Sequence, residues 1–434
     1  MKHIPDIERQ AVGVIRQFQE QQLLQMLDYI GKKSTYYSRI FKEKHIDISA
    51  VKGLHDLASL PVTTKDDLHH YNDEFICVER NKVIDLITTS GTMGDPVTFA
   101  MTDKDLDRLA YNEYLSLSCA GTSEDDVFQL MTTIDRRFMA GLAYFLGARR
   151  LGAGIVRVGN GMPELQWDTI LRMKPSAAIV VPSFLLRLIE YAEQNGIDYR
   201  SSSIKKAVCI GETLRKPDFS LTTLGQKIKE KWDIELYSTY ASTEMSTAFT
   251  ECEHAVGGHQ HPELIIVEFL DDSNMPVADG EAGEVTVTTL GVEGMPLLRF
   301  KTGDICYHYT EPCACGRTTT RLGPVIGRKK HMIKFKGTTL YPPALFDILD
   351  NIEGVGNYVV EVFTNEIGTD EIRIRLSAHK EKRGSFEALL KERFRAKLRV
   401  APSILFDTDD NIEKIRFPEE NRKARNFIDY RSTP

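Results

Sequence analysis

The chain has 434 residues, 42% hydrophobic and 27% charged, a globular balance long enough to bury a large core and to divide into two or three domains. With 55 Lys plus Arg against 62 Asp plus Glu the formal charge is −7, which disfavours nucleic acid or an anionic membrane as a partner, and no run approaches the about eighteen apolar residues of a spanning helix. The N-terminus MKHIPDIERQ has no apolar signal core, and seven unevenly spaced cysteines do not read as a disulfide framework, so a reducing, cytoplasmic setting is expected.

The chain opens with a helical pattern, apolar at Val14, Ile15, Phe18, Leu23, Leu24, Leu27 and Ile30. Pro61 and the pair Thr63-Thr64 interrupt it and predict a short helix from Lys65-Asp66-Asp67. From Asp85 short apolar runs alternate with amphipathic stretches: LITTS, a helix over 103–118, VFQLM, a helix over 139–151, GIVRV, a helix over 164–173, AAIVV, a helix over 184–195, and KKAVCIG. That alternation predicts βαβ units and a mostly parallel sheet. From Glu263 the runs ELIIVEFLDD, GEVTVTTL and PLLRF predict an antiparallel or barrel-like β-subdomain. YVVEVFT and EIRIRLSA then read as a hairpin and SFEALLKERFRAKL as a helix. The expected fold class is α/β: an N-terminal body over 1–326 with parallel-rich sheets, helices and a β-subdomain, then a small mobile α+β C-terminal domain over 327–434, with a hinge near 329–331.

Four segments carry chemistry. Thr88-Thr89-Ser90-Gly91-Thr92-Met93-Gly94 follows an apolar run and packs four hydroxyls and two glycines into seven positions, a cradle for phosphate or a polar surface loop. It is not a P-loop, because no Gly-Lys-Ser/Thr follows. Tyr240-Ala241-Ser242-Thr243-Glu244 follows the strand-like DIELYSTY and would set a carboxylate at a strand's C-terminal end, suited to Mg²⁺ plus phosphate or to plain solvation. Arg299-Phe300-Lys301-Thr302-Gly303-Asp304 offers an acid beyond a glycine turn, for ribose hydroxyls or simply for the turn. Gly327-Arg328-Lys329-Lys330-His331 is a basic junction or a solvated charge run.

In their order and spacing these segments resemble the adenylate-forming superfamily of acyl-CoA synthetases, most closely its phenylacetate-CoA ligase branch. The resemblance runs from LHDLASLPVTTKDDLHHY through the phosphate loop, GETL at Gly211-Glu212, the Tyr-Ala-Ser-Thr-Glu segment, RFKTGD, and GRKKHMIKFKG with TLYPP, to Lys423-Ala424-Arg425 before Asp429 and Arg431. It implies ATP-dependent activation of a carboxylic acid to an acyl-adenylate, then transfer to the thiol of coenzyme A with release of AMP and pyrophosphate. Ser90, Gly91, Thr92 and Gly94 would hold the β- and γ-phosphates. Gly211 and Glu212 would line the adenine pocket with Ala241 and Ser242 nearby, and Tyr240 would pack on the purine. Thr243 would touch the α-phosphate, Glu244 the Mg²⁺, Asp304 the ribose, and Arg328 the ribose or phosphate. Lys423 would bridge the substrate carboxylate and the α-phosphate, with Arg422 and Lys414 as rivals, and Lys330 takes the hinge position. A homodimer is a family-level expectation.

The sequence departs from the family pattern at four places. Ala241 replaces a usual glycine, Met93 and Asp95 stand where Thr and Lys are common, His331 replaces an acid beside the hinge, and Asn421-Arg422-Lys423 replaces a Gly-Lys. Rival readings keep the first half-reaction with an acceptor other than coenzyme A, or keep the fold as a non-catalytic nucleotide binder.

Cys313-Ala314-Cys315, with Cys252, His254, His259 and His261 about sixty residues upstream, offers a tetrahedral Cys₃His zinc site. The expected ligands are Cys252, His259, Cys313 and Cys315, with His254 or His261 as alternates to His259 and a structural role for the metal. Cys77, Cys119, Cys209 and Cys306 are expected in the core. The acyl pocket is assigned to Leu130–Gly141, with Ile134, Phe138 and Met139, to Pro182-Ser183-Phe184, and to residues around Ala241–Met245. Apolar and aromatic lining suits an aryl or arylacetic acid, and Asp135, Arg136 and Arg137 leave room for a polar group or for solvent.

Overall fold

The computed structural model describes residues 4–89, 97–335, 338–365, 369–377, 383–398, 400–417 and 424–431. The chain forms two compact units, Met1–Pro324 and Val325–Pro434.

The first unit opens with helices α1 (Val12–Lys33), α2 (Thr35–Glu43) and α3 (Lys65–His70). The buried stripe of α1 is Ile15, Gln19, Leu23, Met26, Leu27 and Ile30, while Val14 and Leu24 face solvent. The stripe therefore follows i, i+4, i+8 spacing through a glutamine, which the apolar pattern of the sequence passes over. Gln19 earns its place by donating from Nε2 to the carbonyls of Pro262 and Ile265, 3.1 and 3.0 Å away, and so ties α1 to the later β-rich part. α3 starts where Thr64 and Asp67 form a capping box, in agreement with the Thr-Thr-Lys-Asp reading.

Strands β1 (Asp85–Thr88) and β2 (Thr98–Met101) pair antiparallel as a separate hairpin. This corrects the expectation that LITTS opens the βαβ series. At the end of this hairpin the Thr89 N–H donates to the Val97 carbonyl at 2.9 Å and the Val97 N–H donates to Thr89 Oγ1 at 3.1 Å; Ser90–Pro96 lie outside the described residues.

The series proper begins after α4 (Asp103–Cys119) with β3 (Val127–Leu130), α5 (Met139–Leu151), β4 (Gly154–Arg157), α6 (Pro163–Met173), β5 (Ala177–Val180), α7 (Pro182–Gln194), β6 (Lys206–Cys209), α8 (Thr223–Lys231) and β7 (Glu235–Ser242). The strands lie parallel in the order β7-β6-β5-β3-β4. Alternate residues of the central strands enter opposite cores. Ala178, Val180, Ala207 and Cys209 pack with Trp167, Leu185 and Trp232, whereas Ala177, Ile179 and Val208 pack with Leu117, Phe128 and Tyr144. A strand buried on both faces explains why these runs read as unbroken apolar blocks.

The sheet continues antiparallel through β8 (Thr247–Glu251), β9 (Gly258–His259), β10 (Ile265–Leu270), β11 (Ala282–Thr289), β12 (Phe300–Tyr309) and β13 (Arg321–Arg328), giving eleven strands in one sheet among the described residues. The run PLLRF is not itself a strand: β12 begins only at Phe300, after Arg299 at φ +44°. Residues 300–304 of the RFKTGD segment therefore lie within β12 rather than after a strand.

In the second unit, β14 (Ile333–Phe335) and β15 (Thr338–Leu340) form a short hairpin before α9 (Pro342–Asp350). β16 (Tyr358–Thr364) and β17 (Asp370–Ser377) form the expected antiparallel hairpin, followed by α10 (Arg383–Leu398), β18 (Ser403–Asp407), α11 (Asp409–Arg416) and β19 (Phe427–Asp429), with sheet order β18-β17-β16-β19. Val360, Val362, Ile374, Leu390 and Phe394 form a core belonging to this unit alone.

Candidate active site

The parallel strands deliver the predicted residues to one edge. Beyond the carboxyl ends of β3, β5, β6 and β7 lie the segment 131–138, Pro182-Ser183, Gly211-Glu212 and Thr243-Glu244. Ligands in open α/β sheets bind outside these ends. Gly211 has φ +74°, a left-handed turn that glycine adopts without strain. Glu212 accepts from the Ser183 backbone N–H at 2.9 Å and from Ser183 Oγ at 2.7 Å, so the turns after β5 and β6 are fastened together.

β7 turns back into β8 through Thr243–Ser246, with Ser242 opposite Thr247. Met245 is fully buried beneath this turn, while Thr243 and Glu244 are part-exposed at its tip. Lys65 Nζ approaches Glu244 Oε1 at 3.8 Å.

Asp304 reaches the same region from β12. Residues 302–304 form a bulge against β11, where the register shifts between Glu284 and Thr286. Gly303 sits at φ +79° in that bulge, Thr302 Oγ1 donates to the Val285 carbonyl at 2.8 Å, and the Asp304 N–H donates to Thr302 Oγ1 at 3.1 Å. Bulges re-aim a side chain. Here Asp304 Oδ2 accepts from Tyr240 Oη at 2.9 Å. Burial and the Asp304 carboxylate push the Tyr240 hydroxyl well above its usual range, so it stays protonated and donates.

In the acyl segment, Ile134 and Phe138 are half-buried, Met139 and Pro182 are buried, and Asp135, Arg136 and Arg137 are exposed. The Arg137 carbonyl accepts from the Thr88 N–H at 3.0 Å, which sets this segment beside the base of the Ser/Thr/Gly loop. Ser90, Gly91, Thr92, Gly94 and Lys423 lie outside the described residues. Arg328 ends β13 with its side chain exposed, and Lys330 is exposed in a 3-10 turn, Lys329–His331, of the second unit.

Residues 19–293 match the family model of the AMP-binding enzymes. The chain belongs to the AMP-binding enzyme family. It is 29% identical to a phenylacetate-coenzyme A ligase of Thermus thermophilus over 87% of this chain and 84% of that one. Identity to a protein of the same description from Escherichia coli is 28%, over 82% and 81% of the two chains. Its fold is similar to that of 2-hydroxyisobutyryl-CoA ligase in the postadenylation state, solved with R3-HIB-AMP, at a TM-score of 0.83 and 22% identity over 98% of this chain and 94% of that one.

For this family member the cysteine and histidine expectation meets a defined cluster. Cys252, His259, Cys313 and Cys315 bring their ligand atoms within 4.8 Å of one another. The Cys252 and Cys313 sulfurs are 3.7 Å apart, and His259 Nε2 lies 3.4 Å from Cys252 Sγ and 3.6 Å from Cys315 Sγ. A tetrahedron with Zn–S near 2.3 Å has sulfur–sulfur edges of about 3.7 Å, and sulfur–nitrogen edges slightly shorter. Hydrogen bonds from Cys252 and His259 hold the Cys315 thiol far below its ordinary range, favouring the thiolate that a metal binds.

Of the two alternates, His261 is engaged elsewhere: its Nδ1 meets Glu8 Oε1 at 2.5 Å, and Arg317 Nε donates to Glu8 Oε2 at 2.6 Å. His254 is not in the cluster. Cys77, Cys119, Cys209 and Cys306 are buried, as expected. The sequence reading missed Glu8, Arg317 and Lys65 as parts of these sites. Only Lys65 had a local signal, the TTK within the N-terminal motif.

Proposed function

We propose that the protein activates an aryl or arylacetic acid with MgATP to an acyl-adenylate and then transfers the acyl group to coenzyme A. The observation that carries this reading is the convergence of Tyr240, Asp304, Thr243-Glu244 and Gly211-Glu212 at the carboxyl edge of the parallel strands in a chain of the AMP-binding family. The curated relatives' description as phenylacetate-coenzyme A ligases favours an aryl-bearing acid and a thiol acceptor.

The chemistry needs a carboxylate to attack the α-phosphorus, one anion approaching another. Charge neutralisation and in-line positioning lower that barrier. Asp304, held by Tyr240, would grip the ribose hydroxyls, and Gly211-Glu212 with Tyr240 would hold the base. Thr243 would donate to the α-phosphate. Glu244 would hold Mg²⁺, which neutralises phosphate charge. Ser90, Gly91, Thr92 and Gly94 are assigned to the outer phosphates and Lys423 to the bridge between the substrate carboxylate and the α-phosphate. Arg328 as a nucleotide contact and Lys330 as the hinge of a C-terminal lid over 327–434 belong to the same reading. Ile134, Phe138, Met139 and Pro182 would receive the acid's apolar part.

The four-residue Cys and His cluster would hold a structural Zn²⁺. Its donors are soft and mostly buried, its spacing suits a tetrahedral ion, and none of them is a proposed nucleotide residue.

The test is AMP release from MgATP over aryl, arylacetic and short aliphatic acids, with and without coenzyme A. AMP that needs both an aromatic acid and coenzyme A supports the reading. AMP without a coenzyme A requirement moves the second step to another acceptor, and silence across the panel removes the catalytic claim. Lys423→Ala should abolish adenylation.

A further inference from the structure

Arg108 lies on the buried face of α4, 9% exposed, and among the described residues no carboxylate hydrogen-bonds it. Its guanidinium donates instead to four neutral acceptors. Nε reaches the Leu290 carbonyl at 2.7 Å and Nη1 the Ser246 carbonyl at 2.7 Å, while Nη2 reaches Thr247 Oγ1 at 3.1 Å and the Leu264 carbonyl at 2.6 Å. Burial pulls the guanidinium down to about 10 against the opposing pull of Asp105, so it is still a cation at neutral pH. Asp105 itself is occupied with backbone, accepting from the Glu293 and Gly294 N–H groups at 2.7 and 2.8 Å. Burying a charge is costly, and an apolar side chain would avoid that cost. What an apolar side chain cannot do is bridge several separate backbone segments, which the planar fork of arginine does.

Two of the bridged acceptors stand at the start of β8, where the candidate site needs precision. Thr243–Ser246 is a tight turn, in which the N–H and Oγ of Ser246 both donate to the Thr243 carbonyl at 3.3 Å. Ser246 sits at φ +47°, a left-handed conformation that serine adopts only at a cost. Its carbonyl is the group that Arg108 Nη1 holds. The strand β9 pairs only with Thr250 and Glu251 of β8, and α4 serves the earlier part of the strand. Asn112 Oδ1 accepts from the Ala248 N–H at 2.9 Å, and Ser116 Oγ meets Thr250 Oγ1 at 2.7 Å. Arg108, Asn112 and Ser116 follow one another at i, i+4 spacing and so form one polar stripe of α4 along β8.

We propose that Arg108 is a positioning residue for acid activation: by clamping Ser246 and Thr247 to α4 it fixes the turn that carries Glu244. Arg108 acts from beneath the turn, through Ser246. Without the clamp the left-handed end of the turn relaxes, and the Glu244 carboxylate leaves the place from which it would hold Mg²⁺. This rests on the reading above, in which Glu244 holds the metal of MgATP.

Amide hydrogen exchange, followed by mass spectrometry, reads the turn with no ligand present. In Arg108→Met and Arg108→Lys a peptide over residues 240–248 should exchange about ten-fold faster, with peptides from β5 and β6 unchanged. Arg108→Lys keeps a cation and guards against a misfolded Arg108→Met, yet its single ammonium cannot bridge four acceptors. Calorimetry of MgATP binding to the full chain then reads the consequence. Arg108→Lys and Glu244→Gln should each weaken MgATP about ten-fold, and the double variant should be no weaker than Glu244→Gln alone. A double variant weakened by the product of the two single effects would mean that Arg108 acts elsewhere. Unchanged exchange over 240–248 would show an idle clamp, and exchange raised across the whole body a merely structural role; each of these overturns the proposal. If Glu244→Gln leaves MgATP affinity intact while exchange over 240–248 still rises in Arg108→Lys, the metal-holding reading of Glu244 is what fails, and with it the role in activation.

Discussion

Tyr240 and Asp304 stand on strands separated by three others in the sheet order, β13, β9 and β8, yet the tyrosine hydroxyl lies 2.9 Å from the carboxylate. The antiparallel half of the sheet must curl back over the ends of the parallel strands for the two to meet. Strand twist begins that curl, and the two-residue β9 and the Gly303 bulge are local breaks in the ladder that accommodate it. The hydroxyl holds one carboxylate oxygen, Oδ2, in place.

Tyr240→Phe removes that hydrogen bond, together with a long one at 3.5 Å to Thr302 Oγ1, while keeping the ring. Hydrogen bonds to charged groups contribute about 1.5 kcal/mol or more, so the KM for ATP should rise about ten-fold with the KM for the acid unchanged. Asp304→Ala should cost more, because the ribose contact itself is lost. Steady-state kinetics with each substrate varied in turn would measure both. A Tyr240→Phe variant whose acid KM alone changes would place this pair outside the nucleotide site.

The sequence made the parallel half of the fold readable because its central strands are buried on both faces and bounded by amphipathic helices. Residues Ala177–Val180 and Lys206–Cys209 show this plainly. Less was readable where tertiary context decides. LITTS carries the composition of a sheet strand, but among the described residues its strand β1 pairs with β2 alone. The bulge around Gly303 looks like a turn in sequence, since a glycine before an acid is compatible with either. Among the zinc candidates, sequence left three histidines open. The choice of His259 follows from β9, which pairs with β8 and β13 and so brings His259 beside Cys252 and the loop of Cys313 and Cys315. Buried groups such as Glu8, His261 and Arg317 were invisible, because residues 253 and 309 positions apart in the chain carry no local pattern.

The zinc reading makes a compositional prediction. The purified protein should contain about one zinc per chain by mass spectrometry of the metal, and Cys313→Ser should contain far less. Binding to the folded state alone stabilises by about 4 kcal/mol when free zinc is a thousand times the dissociation constant, so the variant should melt several degrees lower and chelation should lower the unmodified protein likewise. Arg317 Nη1 lies 3.5 Å from Cys315 Sγ while its Nε holds Glu8, so loss of the metal should also loosen the N-terminal segment. Protease cleavage near Glu8 should therefore accelerate on chelation. Metal-free protein with unaltered melting would sink the assignment.

Glu113 gives the fold a pH dependence of its own. It is buried where α4 packs on α5, close enough to Gly147 that a Cβ there would lie 2.3 Å from the Glu113 Cβ. Asn112 Nδ2 donates to it at 3.1 Å, and burial pushes its carboxyl up to about 8. In the unfolded chain the group titrates near the ordinary 4.5. From there up to about pH 8 the folded state binds the additional proton, so stability falls as pH rises through this window and the loss is complete above the folded value. Glu113→Gln holds the group neutral and should remove this slope, gaining on the unmodified protein by on the order of 3 kcal/mol between pH 5 and 8. Denaturant unfolding at pH 5, 6.5 and 8 would show it. A gap between the two proteins that stays constant with pH would mean that Glu113 is not the titrating group.

Gly141 links helix packing to the acyl segment. A Cβ built on it would lie 1.9 Å from the Thr133 carbonyl oxygen and 2.7 Å from the Ile134 Cα, both backbone atoms that cannot rotate away. The first turn of α5 is thus pressed directly onto the segment that carries Ile134 and Phe138. Gly141→Ala should destabilise the protein by about 2 kcal/mol through overpacking, despite alanine's better helix propensity, and should raise the acid KM more than the ATP KM as residues 133–138 are displaced. Gly13→Ala in α1 is the matched control: a Cβ there meets nothing within 4 Å, so propensity alone should act and stability should rise by about 0.5–1 kcal/mol. Thermal melts and steady-state kinetics on the two variants separate steric from intrinsic effects. An acid KM unchanged in a destabilised Gly141→Ala protein would move the acyl pocket away from this segment.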